Sequence, residues 1–225
     1  MEGKSEKRGT AMTKLILIRH GQSVANLEER FAGIYDAPLT ALGEKQAELS
    51  AAYVAEHYEV SRVYASDLKR AFFTGKAVAD KCGVEILPDE RFREISAGAW
   101  EGLTFAEIVE GYAADFELFM KDVGRARATD GESVAEVGVR VMDALRELGE
   151  RHTGETVVIA THATPIRAVQ TLVTHGDLAC MKDVPWVSNA SVSVLAYENG
   201  RFTFELISHD AHLAELITRL PDSIE

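Results

Sequence analysis

Short apolar runs alternate along this chain with longer stretches whose apolar residues recur at helical spacing. Residues 14–19 (KLILIR) are rich in Leu and Ile and stop at Arg19, just before His20 and Gly21. They read as a buried strand whose end delivers Arg19 and His20 to a loop. Residues 40–58 read as a helix, with Thr40 as N-cap and Leu42, Ala47, Leu49 and Val54 as its apolar positions. A second short strand, 62–66, precedes a second helix, 67–81, with Gly83 as the C-cap signal, and then a third strand, 84–87, before Pro88. Residues 105–127 break the rhythm: Tyr112, Phe116, Phe119 and Met120 stand among acidic residues, as one or two short helices in an excursion from the sheet. Residues 132–151 form a helix with Val134, Val137, Val141, Leu145 and Leu148 on one face. The run 156–161 (TVVIAT) is the clearest buried strand, and a helix over 164–174 follows it. Residues 192–197 and 202–207 flank Asn199-Gly200, a hairpin signal.

This order predicts an α/β three-layer sandwich: a mainly parallel mixed sheet with helices on both faces, an antiparallel edge and a small helical cap insertion. We expect residues 1–13 to be a disordered tail and 14–225 a single domain with the cap at about 104–130. A length of 225 residues suits that organisation, and 46% hydrophobic with 27% charged residues are ordinary globular values. The net charge of −12 argues against nucleic acid and anionic membrane surfaces as partners, though a locally positive pocket remains compatible with a small anion. The two cysteines, Cys82 and Cys180, sit in no metal or redox spacing. No apolar run approaches a membrane span, and the polar N-terminus lacks a signal-peptide core. A cytoplasmic location is the expectation.

The chemistry gathers at strand ends. Arg19, His20 and Gly21 follow the first strand, Ser66 ends the second with Arg70 one helical turn beyond, and His162 follows the run 156–161. In α/β sheets the carboxyl ends of parallel strands line the ligand crevice. Two arginines and two histidines converging there make an anion site, since guanidinium forks match phosphate oxygens, and Gly21 would let the backbone approach the ligand. Each alone would be structural: a satisfied histidine, a solvated helix arginine, loop and cap residues at Gln22 and Asn26. Four such groups at the ends of three strand-like runs are not expected without a ligand, because like charges repel.

The motifs resemble those of the histidine phosphatase superfamily, the phosphoglycerate mutase-like family. LILIRHGQSVAN is similar to its first signature, met by Arg19, His20, Gly21, Ser23 and Asn26. PLTALGEKQA, YASDLKRAFFT with Arg70, REISAGAWEGLT with an acid at Glu94, DGES at 130–133 and VVIATHATPIRAV with His162 resemble its later segments in order, so the likeness runs from about Lys14 to His209. It implies that His20 forms a phosphohistidine, that Arg19, Arg70, His162 and Asn26 hold the phosphoryl oxygens, and that Glu94 protonates the leaving oxygen. Gln22, Ser23, Ala163 and Thr164 join the substrate-binding set. His162 would act best as a charged donor, its pKa raised by the bound dianion. No metal or cofactor is implied. The partner would be a small phosphorylated metabolite, and the strands at 192–197 and 202–207 leave homodimerisation open.

Within the family, hydrolysis is favoured over mutation. The mutases follow the acid with Arg-His-Tyr-Gly, whose Arg and Tyr help hold the substrate carboxylate, whereas this chain has Ile95, Ser96, Ala97 and Gly98, and Ile95 and Ala97 cannot make those hydrogen bonds. The paired cap arginine is also missing, since Ala126 separates Arg125 from Arg127. The local pattern resembles the broad-specificity, ribazole-phosphate and fructose-2,6-bisphosphatase branches. The expected function is therefore a metal-independent phosphatase of small phosphomonoesters. A cofactor-dependent phosphoglycerate mutase and a catalytically weak phosphate-binding protein are the alternatives. Where the family often carries Gly-Gly after the second histidine, this chain has Ala163-Thr164, which would tighten the pocket mouth. In the excursion, the aromatic residues are expected to form the cap's own small core, and Lys121, Arg125 and Arg127 to be solvated cations, with recognition of a second anionic group as the alternative.

Overall fold

The computed structural model describes residues 11–218. The tail expected over 1–13 lies outside the described residues as far as residue 10, and Thr13 already belongs to the first strand. In chain order the regular elements are β1 (Thr13–Arg19), α1 (Val24–Leu27), α2 (Ala41–His57), β2 (Arg62–Ala65), α3 (Lys69–Cys82), β3 (Ile86–Pro88), α4 (Phe105–Lys121), α5 (Val134–Arg151), β4 (Thr156–Thr161), α6 (Ala163–His175), β5 (Val192–Glu198) and β6 (Arg201–His209). They build one six-stranded sheet in the order β3-β2-β4-β1-β5-β6. The first four strands run parallel, and β5 and β6 add an antiparallel edge.

The alternation of side chains along β1 divides the core into two layers. Leu15 and Leu17 pack with Val141, Leu145 and Leu148 of α5 and with Ile166 and Val169 of α6. Ile16 and Ile18 pack on the other side with Ala51 and Val54 of α2 and Val78 and Ala79 of α3. A strand apolar at every position is what a sheet covered on both faces requires, and the architecture is the expected α/β three-layer sandwich.

Local signals account for most boundaries. Thr40 accepts from Gly43 N to cap α2, Ser133 and Glu136 form a reciprocal capping box at α5, and Gly83 closes α3 in the left-handed region at φ 68°. Asn199 and Gly200, both at positive φ, make the two-residue turn between β5 and β6. Among the described residues, no helix is long and apolar enough to cross a membrane.

Three expectations need correction. The buried face of α2 is Gly43, Gln46, Ala47, Ser50, Ala51 and Val54, while Leu42 and Leu49 are only half-buried. The face is set by polar anchoring: Gln46 Oε1 accepts from Gln22 N at 2.8 Å, and Ser50 Oγ donates to the Ala190 carbonyl at 2.7 Å. Helix α3 begins at Lys69 rather than Asp67, because the Asp67 carboxylate turns to the guanidinium of Arg93. The third strand is displaced to Ile86–Pro88, the only stretch there in register with β2. The excursion is a single helix, α4, kinked at Tyr112, where φ is −136° and ψ 34°.

Candidate active site

The carboxyl ends of β1, β2 and β4 lie side by side. Arg19 pairs in register with Thr161, so the next residues, His20 and His162, leave neighbouring strands together. Their rings meet edge to face with centroids 5.1 Å apart. Arg70 enters from the first turn of α3, and Glu94 from the loop beyond β3. Arg19, His20, Asn26, Arg70, Glu94, Ala163 and Thr164 all line one cavity, and His162 lies behind it, fully buried.

A hydrogen bond fixes the tautomer of His20. His20 Nδ1 lies 2.7 Å from the Gly21 carbonyl, which can only accept, so Nδ1 carries the proton and Nε2 keeps its lone pair. Burial first, then Arg70 and Arg19, hold the His20 pKa well below its ordinary value, so the ring is neutral. Ser66 Oγ accepts from Leu68 N at 3.3 Å and shares a hydrogen bond of 2.9 Å with His162 Nε2. With the hydroxyl as donor there, the His162 proton stands on Nδ1, a buried atom with no protein partner among the described residues. Burial first, then Arg70 and His20, hold His162 neutral as well. The charged His162 expected from the sequence therefore needs the anion to be present.

The arginines are buried and braced. Arg19 donates to the Val187 carbonyl, and burial pushes its pKa down to about 10 against the opposing pull of Glu94. Arg70 donates to the carbonyls of Tyr35 at 2.8 Å and Gly33 at 2.7 Å. The turn carrying those carbonyls is held by the Glu101 carboxylate, which accepts from Ile34, Tyr35 and Ala97 N. Nε of both Arg19 and Arg70 is buried without a partner. Asn26 Oδ1 accepts from Ser23 N, Ser23 Oγ and Asn189 Nδ2, which leaves its own Nδ2 as the donor end.

Glu94 has its own scaffold. Its Oε1 accepts from Ile95 N at 2.8 Å and its Oε2 from Thr164 N at 3.3 Å. Arg140 of α5 donates to the carbonyls of Arg91, Arg93 and Glu94 and forms a forked ion pair with Glu132. Glu132 N in turn donates to the Ser96 carbonyl at 2.8 Å. The DGES segment at 130–133 thus ties the Glu94 loop to α5.

Besides His162, which stands behind the cavity, two of the expected substrate-binding residues do not line it. Ser23 is buried as the N-cap of α1, where its oxygen accepts from Asn26 N at 3.2 Å. The Gln22 side chain accepts from Thr40 Oγ1 at 2.9 Å, joining the loop to the cap of α2. Gly21 also has a different reason from the one expected: a Cβ there would stand 2.2 Å from the Gly43 carbonyl oxygen, so its bareness serves backbone-to-backbone packing. The aromatic residues of the excursion are more than a private core, because Phe105, Phe116, Phe119 and Met120 form the cavity wall. Lys121, Arg125 and Arg127 are not on that wall. Arg125 faces Asp122, and Arg127 binds the Gly131 carbonyl and Glu136.

Sequence reasoning missed Arg30, Phe31 and Trp186 on the wall, and Asn189 behind His20. Asn189 had a signal, since it precedes a strand in a run of small polar residues, SNAS, that the fold buries. The others lie in irregular segments with no periodicity to read. Among the described residues, no three His, Cys, Asp or Glu side chains are grouped to hold a metal ion.

Residues 15–210 match the family model described as "Histidine phosphatase superfamily (branch 1)". The chain is 35% identical over 205 residues to phosphoserine phosphatase 1 of Hydrogenobacter thermophilus, covering 91% of this chain and 96% of that one. The solved structure of Bacillus stearothermophilus YhfR superposes with a TM-score of 0.85 at 30% identity, covering 89% of this chain and 99% of that one. A mycobacterial glucosyl-3-phosphoglycerate phosphatase superposes with a TM-score of 0.79 at 26% identity, over 88% of this chain and 100% of that one.

Proposed function

The chain belongs to the histidine phosphatase superfamily, and from that premise we propose that it is a phosphatase that hydrolyses small phosphomonoesters through a phosphohistidine on His20 without a metal. The observation that carries the reading is the pairing of His20, whose Nδ1 bonds the Gly21 carbonyl and leaves Nε2 free, with His162, whose buried Nδ1 has no protein partner among the described residues. The relatives named as phosphatases support the same class of reaction.

In the first step His20 Nε2 attacks phosphorus in line, the N–P bond forms and the P–O bond to the leaving group breaks. Arg19, Arg70, Asn26 Nδ2 and His162 Nδ1–H answer the charge on the phosphoryl oxygens. Glu94 supplies the proton that the departing oxygen takes up. In the second step water attacks the phosphohistidine and gives a proton to Glu94. Inorganic phosphate leaves, and His20 and Glu94 return to their starting states. The His20 Nδ1–H donates to the Gly21 carbonyl throughout, so the ring keeps its orientation.

Hydrolysis is favoured over mutase chemistry by the positions after the acid. Ile95 and Ala97 are fully buried in the core and bring no hydrogen-bonding group to the cavity. The test is hydrolysis of p-nitrophenyl phosphate in excess EDTA, with a 3-phosphoglycerate mutase assay alongside. EDTA-resistant hydrolysis with little mutase turnover is expected. Rapid mutase turnover with feeble hydrolysis would overturn the reading.

A further inference from the structure

Beyond the phosphoryl-binding groups, the cavity wall is built from Phe31, Phe105, Phe116, Phe119, Met120 and Trp186. These rings are already fixed in edge-to-face contacts: Phe31 meets Phe105 at 6.1 Å and Phe119 at 5.8 Å, and Trp100 backs Phe116 at 5.8 Å and Phe119 at 5.4 Å. Trp186 is held from behind by the buried Arg167, whose guanidinium carbon lies 3.9 Å from the ring centroid while NH2 donates to the carbonyls of Met181 and Val184. The wall is therefore an apolar surface of rings already packed against one another, facing the phosphoryl-binding groups.

Among the described residues, the one lining cation besides Arg19 and Arg70 is Arg30, and two carboxylates already flank it. Its Nε donates to Glu28 at 2.6 Å, its NH1 donates to the Gly102 carbonyl at 2.8 Å, and Glu107 lies 3.8 Å away. A substrate carboxylate there would meet a guanidinium whose charge Glu28 and Glu107 already offset. The single carboxylate among the lining residues is Glu94, which already accepts two backbone amides, so an ammonium group would have to compete for the proposed proton donor. A charged group held against this wall would lose its hydration without gaining a partner.

From this we infer that the cavity selects phosphomonoesters with an apolar, arylalkyl leaving alcohol over those whose leaving group carries a carboxylate or ammonium. The inference rests on the phosphatase reading above and specifies its substrate class. It runs against what the name of the Hydrogenobacter relative would suggest.

The test is kcat/KM of the full chain across esters of alcohols of comparable acidity: benzyl phosphate, glycerol phosphate, O-phosphoserine and 3-phosphoglycerate, with p-nitrophenyl phosphate as the activity control. Benzyl phosphate is expected to exceed O-phosphoserine and 3-phosphoglycerate at least tenfold. In Phe116→Ala the benzyl-to-glycerol ratio is expected to narrow at least threefold, and inhibition of the unaltered chain by benzylphosphonate is expected to exceed that by inorganic phosphate. O-Phosphoserine or 3-phosphoglycerate turned over as well as benzyl phosphate would overturn the selectivity while leaving a phosphatase. Failure to hydrolyse any ester, p-nitrophenyl phosphate included, would overturn the phosphatase reading and the inference together.

Discussion

Asn189 holds His20 from behind, its Nδ2 donating to the His20 carbonyl at 3.1 Å and to Asn26 Oδ1 at 3.2 Å. One amide group thus joins the backbone of His20, the proposed nucleophile, to the loop residue that shares its cavity. Thr218 sets the orientation: its hydroxyl donates to Asn189 Oδ1 at 3.1 Å, and its carbonyl accepts from Asn189 N.

Replacing Asn189 separates shape from hydrogen bonding. Asn189→Asp keeps the outline but turns an acceptor towards two oxygens, whereas Asn189→Ala only removes the donors. The expected loss of kcat is about tenfold for Ala, or roughly 1.4 kcal/mol, and larger for Asp. Steady-state kinetics with a melting curve for each variant check this. Equal kcat in Asp and the parent would sink the positioning role.

Ser66 Oγ bonds His162 Nε2, and as the donor it places the ring proton on Nδ1. Ser66→Ala should lower kcat by about tenfold, in line with the loss of one charge-assisted contact in the transition state. Ring nitrogen chemical shifts should show protonation at Nδ1 in the parent and a mixture of tautomers in the variant. An unchanged tautomer would mean that His162 is oriented by something else.

The contact between the His20 loop and α2 is made by two bare backbones. A Cβ on Gly43 would stand 2.0 Å from the Gln22 carbonyl oxygen, with no flexible side chain to yield. Gly43→Ala should destabilise by about 3 kcal/mol, the upper part of the overpacking range. Urea denaturation with an unchanged m-value measures it.

Stability should fall in mild acid. Burial first, then Arg70, keeps His20 and His162 neutral in the fold, and His212 is lowered by burial and then by His209. The unfolded chain binds protons there below pH 6.5, the ordinary value, and the native chain does not. Unfolded protons exceed native protons, so stability rises with pH through that range by up to ~1.4 kcal/mol per pH unit for each histidine. Urea unfolding at pH 7.5, 6.5 and 5.5 should show this slope, reduced in His20→Ala. A flat response in the parent would contradict it.

The sheet was legible because its central strands are buried on both faces and read as unbroken apolar runs, as in residues 156–161. Helix α5 was legible because its buried face is Val and Leu at helical spacing. The packing face of α2 was legible only at Ala47 and Val54, because the rest of it is Gly43, Gln46, Ser50 and Ala51, which a hydrophobic pattern does not mark. Arg19, His20, Arg70, Glu94 and His162 were named in advance, and the fold brings them together. Gln22 and Ser23 entered the binding set through the resemblance, yet the Ser23 hydroxyl caps the backbone of α1 and the Gln22 amide bonds the Thr40 hydroxyl. The cavity wall was read as a hidden core because aromatic side chains at helical spacing look the same whether their exposed edge meets solvent or substrate.

The central claim is that His20 carries the phosphoryl group. Rapid quenching with a radiolabelled phosphomonoester tests it directly. The account predicts an acid-labile, alkali-stable label on the denatured protein, at most one per chain, absent from His20→Ala, with hydrolysis in that variant down by about a thousandfold or more. Hydrolysis that survives His20→Ala, or turnover with no label that EDTA abolishes, would contradict it.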